Sequence, residues 1–542
     1  MYMNIERIRF LAEKNITGMG KVIFIKGTDL KEIAKKYEDV CSKLSINGRI
    51  LKLEKESVYL SYDREGIASS IIEAILDDDK NIFNNTVEVL KNDWKNEIIK
   101  KLRENNISGV EFHDDSLLIG YGENSIILTK ENYKDFNIDD IISKLIDKWD
   151  IPIIAVTGTN GKTSTTRLIH NTLLQLGYKS GMSSTGGIII GNETIRNGDT
   201  TGYYSALEVL KRKDVNVAVL ETARGGLIKK GLGFKNARAC IITSLSEDHM
   251  GMEGINSLEQ LGKVKALIKE GLKENGVMVI RATNEIVNLF KENDRLILFE
   301  NDKNDIICNH IKNGGEAFYT REGYIVHNLD GIESKIISLN ELEFTHNGAS
   351  ESNVRNVMAA IASIKTINND INKIVNALKS IKCDLITNKG RQNILNIKDF
   401  KLIIDYGHNS EAFNEVFNIA KSLNPTRITG LITAPGDRTD NHIIELGEIA
   451  AKFCDKVIIK EQEDKRGKAN GETAKLLKKG LINKGFKEEN IIILLEERDA
   501  ILKALNDAIE GEIIVSFSQF LHLTIPAINE FLSENKLKLI NI

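Results

Sequence analysis

Residues 151–164 read Ile151-Pro152-Ile153-Ile154-Ala155-Val156-Thr157-Gly158-Thr159-Asn160-Gly161-Lys162-Thr163-Ser164, and the fold turns on them. The opening run is short, apolar and β-branched, which suits a strand buried on both faces of a parallel sheet. A glycine turn follows at once and leads into a helix. Strand, glycine turn and helix in that order make a phosphate cradle. Glycines let backbone N–H groups converge on phosphate oxygens, and the helix adds its positive N-terminal end. Gly158, Thr159, Asn160, Gly161 and Ser164 are expected to form the cradle, with Lys162 on the outer phosphates and the Thr163 hydroxyl on Mg²⁺. The bland alternative, a glycine turn beside a surface lysine, fits the flanking strand and helix poorly.

Outward from this segment, Val217-Ala218-Val219-Leu220 and Ala239-Cys240-Ile241-Ile242 alternate with amphipathic helices. That alternation predicts an α/β fold with a doubly wound central domain over 149–388. From Gly390-Arg391 onward new strands occur at Leu402–Asp405, Arg427–Ile432, Lys456–Ile459 and Ile513–Ser516. They predict a Rossmann-like C-terminal domain over 389–542. Residues 1–148 mix β-like runs such as Lys21–Ile25 with lysine-rich helices such as Asp29–Leu44, and predict an α+β domain, a candidate binding unit for substrate or carrier. Three domains agree with 542 residues, too many for one core.

The net charge of -4 is nearly balanced, so nothing points to nucleic acid. No apolar run has the length of a membrane span, and no secretory pattern opens the chain. The five cysteines, Cys41, Cys240, Cys308, Cys383 and Cys454, show neither metal spacing nor a disulfide framework. A reducing cytoplasm is the expected location.

Glu221 ends the run Val217–Leu220, and a carboxylate at the carboxyl end of a parallel strand faces the ligand crevice of such sheets. Its alternative is a helix-start glutamate. Arg224, beside two glycines, could grip a carboxylate or phosphate, or be a solvated side chain.

Thr157-Gly158-Thr159-Asn160-Gly161-Lys162-Thr163 resembles the shortened ATP loop of the Mur ligase superfamily, which includes the folylpolyglutamate synthetases. The likeness runs through further motifs to about residue 475 and is strongest to the Mur-type half of the cyanophycin synthetases, without their ATP-grasp domain. It implies ATP and one or two Mg²⁺ ions. In Thr243-Ser244-Leu245-Ser246-Glu247-Asp248-His249 it makes His249 a metal ligand beside Glu221. It also implies a lysine carbamylated by CO₂ as an anionic metal ligand. Lys265 in Lys265-Ala266-Leu267-Ile268 fits better than Lys263, with two solvated lysines as the alternative. Thr200 and Thr201 would contact phosphate or substrate, or form a plain turn.

In Asn353-Val354-Arg355-Asn356 the resemblance puts Asn356 on the adenine. Gly390-Arg391 and Asp405-Tyr406-Gly407-His408-Asn409-Ser410 look like the family's pair of motifs at the entrance to the C-terminal domain, with serine in place of proline at 410. Arg391 would reach the γ-phosphate, Asp405 the ribose hydroxyls, and His408 and Asn409 would line the nucleotide site. Arg438 in Pro435-Gly436-Asp437-Arg438 and Arg466 in Glu463–Gly467 would hold the incoming amino acid, the latter stretch being otherwise a charged surface loop. Lys162, Glu221, His249, Lys265 and Arg391 form the implied catalytic set.

The implied activity is an ATP-dependent ligase that activates a carboxylate as an acyl phosphate and couples it to an amino-acid amine. Its partners would be an amino acid and a peptide or nucleotide-linked peptide acceptor. Two other readings stand beside it: a murein or pseudomurein precursor ligase, and a nucleotide-binding subunit without activity. Because the implied ATP contacts lie in two domains, ATP is expected to draw them together.

Overall fold

Ile153–Thr157 forms the expected strand, with all five residues buried, in an 11-stranded sheet. The computed structural model describes residues 4–541 apart from 113, 248–250 and 252. The order across this sheet is 193–197, 187–190, 180–184, 217–221, 153–157, 237–242, 272–281, 296–300, 316–321, 324–329 and 332–338. Strands from 180–184 to 316–321 run parallel, as buried apolar runs joined by crossovers require. Antiparallel hairpins finish both edges, 187–197 at one end and 324–338 at the other. Those hairpins break the simple strand–helix alternation read from the sequence.

Register places the site. Glu221 pairs with Val156, and Ile242 with Thr157, so three neighbouring strands end at one level. Helix Lys162–Gln175 starts there, with Gly161 as its cap. It packs beside Glu351–Ile364, and Leu168, Ile169, Val357 and Ile361 share one apolar core.

The second sheet has six strands in the order 393–397, 400–405, 513–517, 428–432, 456–459 and 491–493. Its first pair is antiparallel and the rest parallel. At the N-terminus, Ile5–Leu11, Val22–Gly27, Ser57–Ser61 and Ile50–Leu53 make an antiparallel sheet whose core includes Ile33, Tyr37 and Ile71 from two helices. A second, three-stranded sheet over 109–128 lies against the large one. Its Leu117, Ile119 and Leu128 join the same core as Ile153 and Ala155. Among the described residues no helix is long and apolar enough to cross a membrane. The cysteines are all free thiols.

Candidate functional site

The phosphate loop is shaped by glycines that nothing larger could replace. Gly158 stands at φ +152, and a Cβ there would lie 2.0 Å from Thr243 Oγ1. Gly161 stands at φ +82, where a Cβ would come within 2.7 Å of Asn356 Oδ1. The segment after the neighbouring strand braces the turn. Thr159 N donates to Ser244 O (3.0 Å), Asn160 N to Ser244 Oγ (2.8 Å), and Thr243 Oγ1 to Asn160 O (2.5 Å). Lys162 Nζ folds over the loop and donates to Thr159 O at 2.8 Å.

Glu221 is buried at the strand end, directly beside Thr163. Thr163 Oγ1 donates to Glu221 Oε1 at 3.1 Å. Thr185 completes the group: its N–H donates to Oε2 at 3.0 Å and its hydroxyl to Oε1 at 2.8 Å. The sequence offered no signal for Thr185. Hard oxygen donors from Thr163 and Glu221, packed against a phosphate loop, fit a magnesium ion. His249 lies outside the described residues.

The two candidate lysines separate clearly. Lys265 is 4% exposed and its Nζ donates to Gly158 O at 2.7 Å. Lys263, two residues earlier, is exposed and pairs with Glu259 at 2.6 Å.

The phosphate loop, Thr201, Arg224, Lys265, Asn356, Arg391, Asp405 and His408 line one cavity of about 380 Å³ between the two large sheets. Asn356 accepts from Thr165 Oγ1 and donates to Asn353 Oδ1, both at 3.0 Å, so its amide is held against the glycine turn. Thr201 closes a local turn on Asp199, whereas Thr200 is buried and staples itself to Ser184 away from the cavity. Asn388 Nδ2 donates to Ser164 Oγ at 3.3 Å, tying the loop to the segment before Arg391.

From the second sheet, the Arg391 guanidinium stacks 4.2 Å from the centroid of Tyr406. Asp405 accepts from Gly407 N (2.5 Å) and Gln392 N (2.8 Å). Burial raises its pKa, opposed by the Arg391 charge. Asn409 caps the next helix and donates to Asn160 Oδ1 at 2.9 Å. Glu411, which no motif flagged, accepts from Asn160 Nδ2 (2.7 Å), Ser246 Oγ (3.3 Å) and Arg281 Nη1 (3.2 Å). The two halves of the expected ATP site therefore already touch.

Tyr406 and His408 also border a smaller cavity of about 70 Å³ with Arg438, Arg466, Gln462 and Gln519. Asp437 lies between the arginines, 2.9 Å from Arg438 Nη1 and 3.3 Å from Arg466 Nη1. The Oε1 atoms of Gln462 and Gln519 are buried without a hydrogen-bond partner among the described residues. Fixed cations and unmet acceptors in one small space suit a ligand with both carboxylate and N–H groups.

The cyanophycin synthetase of Crocosphaera subtropica is 34% identical over 382 residues, which are 70% of this chain and 44% of that protein. The chain thus spans less than half the length of this relative. The UDP-N-acetylmuramyl-tripeptide synthetase of Borreliella burgdorferi is 26% identical over 417 residues, covering 71% of this chain and 76% of that one. Among solved structures, the E. coli FolC in complex with DHPP and ADP shares the fold with a TM-score of 0.52 at 18% identity, over 71% of this chain and 89% of its own. The family model of the Mur ligase middle domain matches residues 156–364, and that of the Mur ligase glutamate ligase domain matches residues 390–520. With both domains in sequence, and one cavity built from both, this chain belongs to the Mur ligase family.

Proposed function

We propose that this chain is an ATP-dependent carbon–nitrogen ligase that activates a substrate carboxylate and joins it to an amino-acid amine, as the Mur-type half of a cyanophycin synthetase would. The observation that carries the reading is the single cavity shared by the phosphate loop, Lys265, Arg391 and Asp405, with the arginine-lined cavity opening beside it.

The carboxylate oxygen attacks the γ-phosphorus, the bond to the β-phosphate oxygen breaks, and ADP leaves. Such a transfer needs charge neutralisation more than covalent help. Lys162 and Arg391 supply it from the two sides of the cavity. Thr163 and Glu221 would hold Mg²⁺, with a carbamylated Lys265 and, by the family resemblance alone, His249 as further ligands, and the ion would offset phosphate charge. The amine nitrogen then attacks the acyl carbon, phosphate departs and the nitrogen loses its proton. Arg438 and Arg466 hold the amino acid's carboxylate while Gln462 and Gln519 accept its N–H groups. Contacts of Asn160 with Asn409 and Glu411 join the two walls of the cavity, where water must be kept from the acyl phosphate it would hydrolyse.

The test is phosphate release from ATP with a panel of amino acids, each offered with peptide or uridine-diphosphate-linked peptide acceptors. Turnover with an amino acid and a peptide acceptor is expected. Turnover confined to nucleotide-linked acceptors would instead mark a wall-precursor ligase. ATP binding with no turnover on any pair would mark a nucleotide-binding subunit.

A further inference from the structure

The N-terminal sheet contributes no side chain to the 380 Å³ cavity, yet it is fastened to stretches that adjoin two segments that do, residues 223–225 and helix Leu258–Ala266. On strand Ile5–Leu11, Arg7 and Arg9 are two apart and therefore point to the same side. Both grip one carboxylate 244 and 246 residues away. Arg7 Nη1 donates to Glu253 Oε2 at 2.8 Å, and Arg9 Nη2 donates to Oε1 and Oε2 at 2.9 and 3.0 Å. The pair is partly exposed, with side-chain exposures of 47% for Arg7, 16% for Arg9 and 24% for Glu253.

Glu253 occupies a conspicuous place. It lies between Thr243-Ser244-Leu245-Ser246, which brace the phosphate loop, and helix Leu258–Ala266, which carries Lys265 back to Gly158. The chain there turns through left-handed conformations at Gly251 (φ +80), Glu253 (φ +56) and Gly254 (φ +78). A left-handed glutamate costs about 1–2 kcal/mol, and the two arginines fix the Glu253 side chain at this turn.

The segment after Glu221 is fastened independently. Ala12 N donates to Lys230 O (2.7 Å) and Leu232 N to Lys14 O (2.9 Å), just beyond the helix that begins at Arg224. A Cβ at Gly231 would come 2.2 Å from Lys14 O, so this close main-chain approach requires glycine. Lys230 Nζ also pairs with Glu65 at 2.6 Å.

We propose that Glu253, gripped by Arg7 and Arg9, is a positioning residue through which the N-terminal sheet sets helix Leu258–Ala266, and with it Lys265 and the phosphate loop it bonds. The sheet then acts as a brace on the reaction centre. The role in turnover rests on the ligase reading; the mechanical coupling does not.

Hydrogen–deuterium exchange on the full chain tests it without substrate. Glu253→Gln, and separately Arg7→Gln with Arg9→Gln, should speed amide exchange in 253–266 by about fivefold, the effect of a partly exposed ion pair. Exchange in the C-terminal sheet should be unchanged. Glu253→Arg combined with Arg7→Glu and Arg9→Glu should restore protection. In turnover, kcat should fall by a similar factor while the KM of the amino acid, whose cavity lies in the other sheet, stays constant. Unchanged exchange in both variants, uniform acceleration across the chain, or no recovery in the charge swap would overturn the coupling. Faster exchange in 253–266 with unchanged kcat would overturn the positioning role.

Discussion

Replacing Gly158 with alanine isolates the steric demand of the phosphate loop. The new methyl would sit 2.0 Å from Thr243 Oγ1, at a backbone φ of +152 that L residues avoid. The backbone conformation alone costs about 1–3 kcal/mol. To clear the methyl, Thr243 must move, and the hydrogen bond its hydroxyl donates, with Asn160 O at 2.5 Å as the nearer acceptor and Thr157 O at 3.2 Å as the farther, is lost, at about 1 kcal/mol. Together these terms come to about 2–4 kcal/mol against the competent loop, or about a thirtyfold or greater loss of ATP affinity. Calorimetric titration with ATP and Mg²⁺ measures that loss, and a thermal melt checks that the fold survives. In a Thr243→Ala background the obstructing oxygen is gone, so the same glycine substitution should cost less. Wild-type affinity in Gly158→Ala, or an identical penalty in both backgrounds, would refute the reasoning.

Lys265→Ala should abolish turnover, and intact-protein mass spectrometry should find the mass of one CO₂ on Lys265 of the native chain. Lys263→Ala, which removes only an exposed pair with Glu259, should change stability by less than about 0.5 kcal/mol and leave kcat intact. Arg438→Ala should raise the KM of the amino acid by at least tenfold, the cost of a lost charge-assisted bond of about 1.5–3 kcal/mol, and leave the KM of ATP unchanged. His170 is buried between Ser180 Oγ and Gly191 O, and burial pushes its pKa from 6.5 down to about 4. The unfolded chain takes up this proton near pH 6.5 and the folded chain only near pH 4, so stability is full above 6.5 and falls as pH drops between them. The loss reaches about 3 kcal/mol. Urea titrations at pH 7.5 and 4.5 should show it, and His170→Gln should flatten that difference.

The strand–turn–helix at 153–175 was legible from residues alone because its information is local. β-Branched apolar runs, glycines at positive φ and a helix start are all properties of neighbours in the chain. Glu221 was legible for the same reason: a carboxylate at the end of a buried apolar run marks the strand's carboxyl edge. Contacts between distant residues were not written that way. Thr185 meets Glu221 because strand 180–184 lies next to strand 217–221, a matter of sheet order. Lys265 and Lys263 are equivalent in composition, and only the helix's packing turns one toward Gly158 and the other to water. Glu411 on Asn160, and Arg7 and Arg9 on Glu253, join points more than 240 residues apart, where sequence spacing carries no geometry. Local stereochemistry therefore wrote the elements and the chemistry at their ends, and long-range packing chose which of those ends share a site.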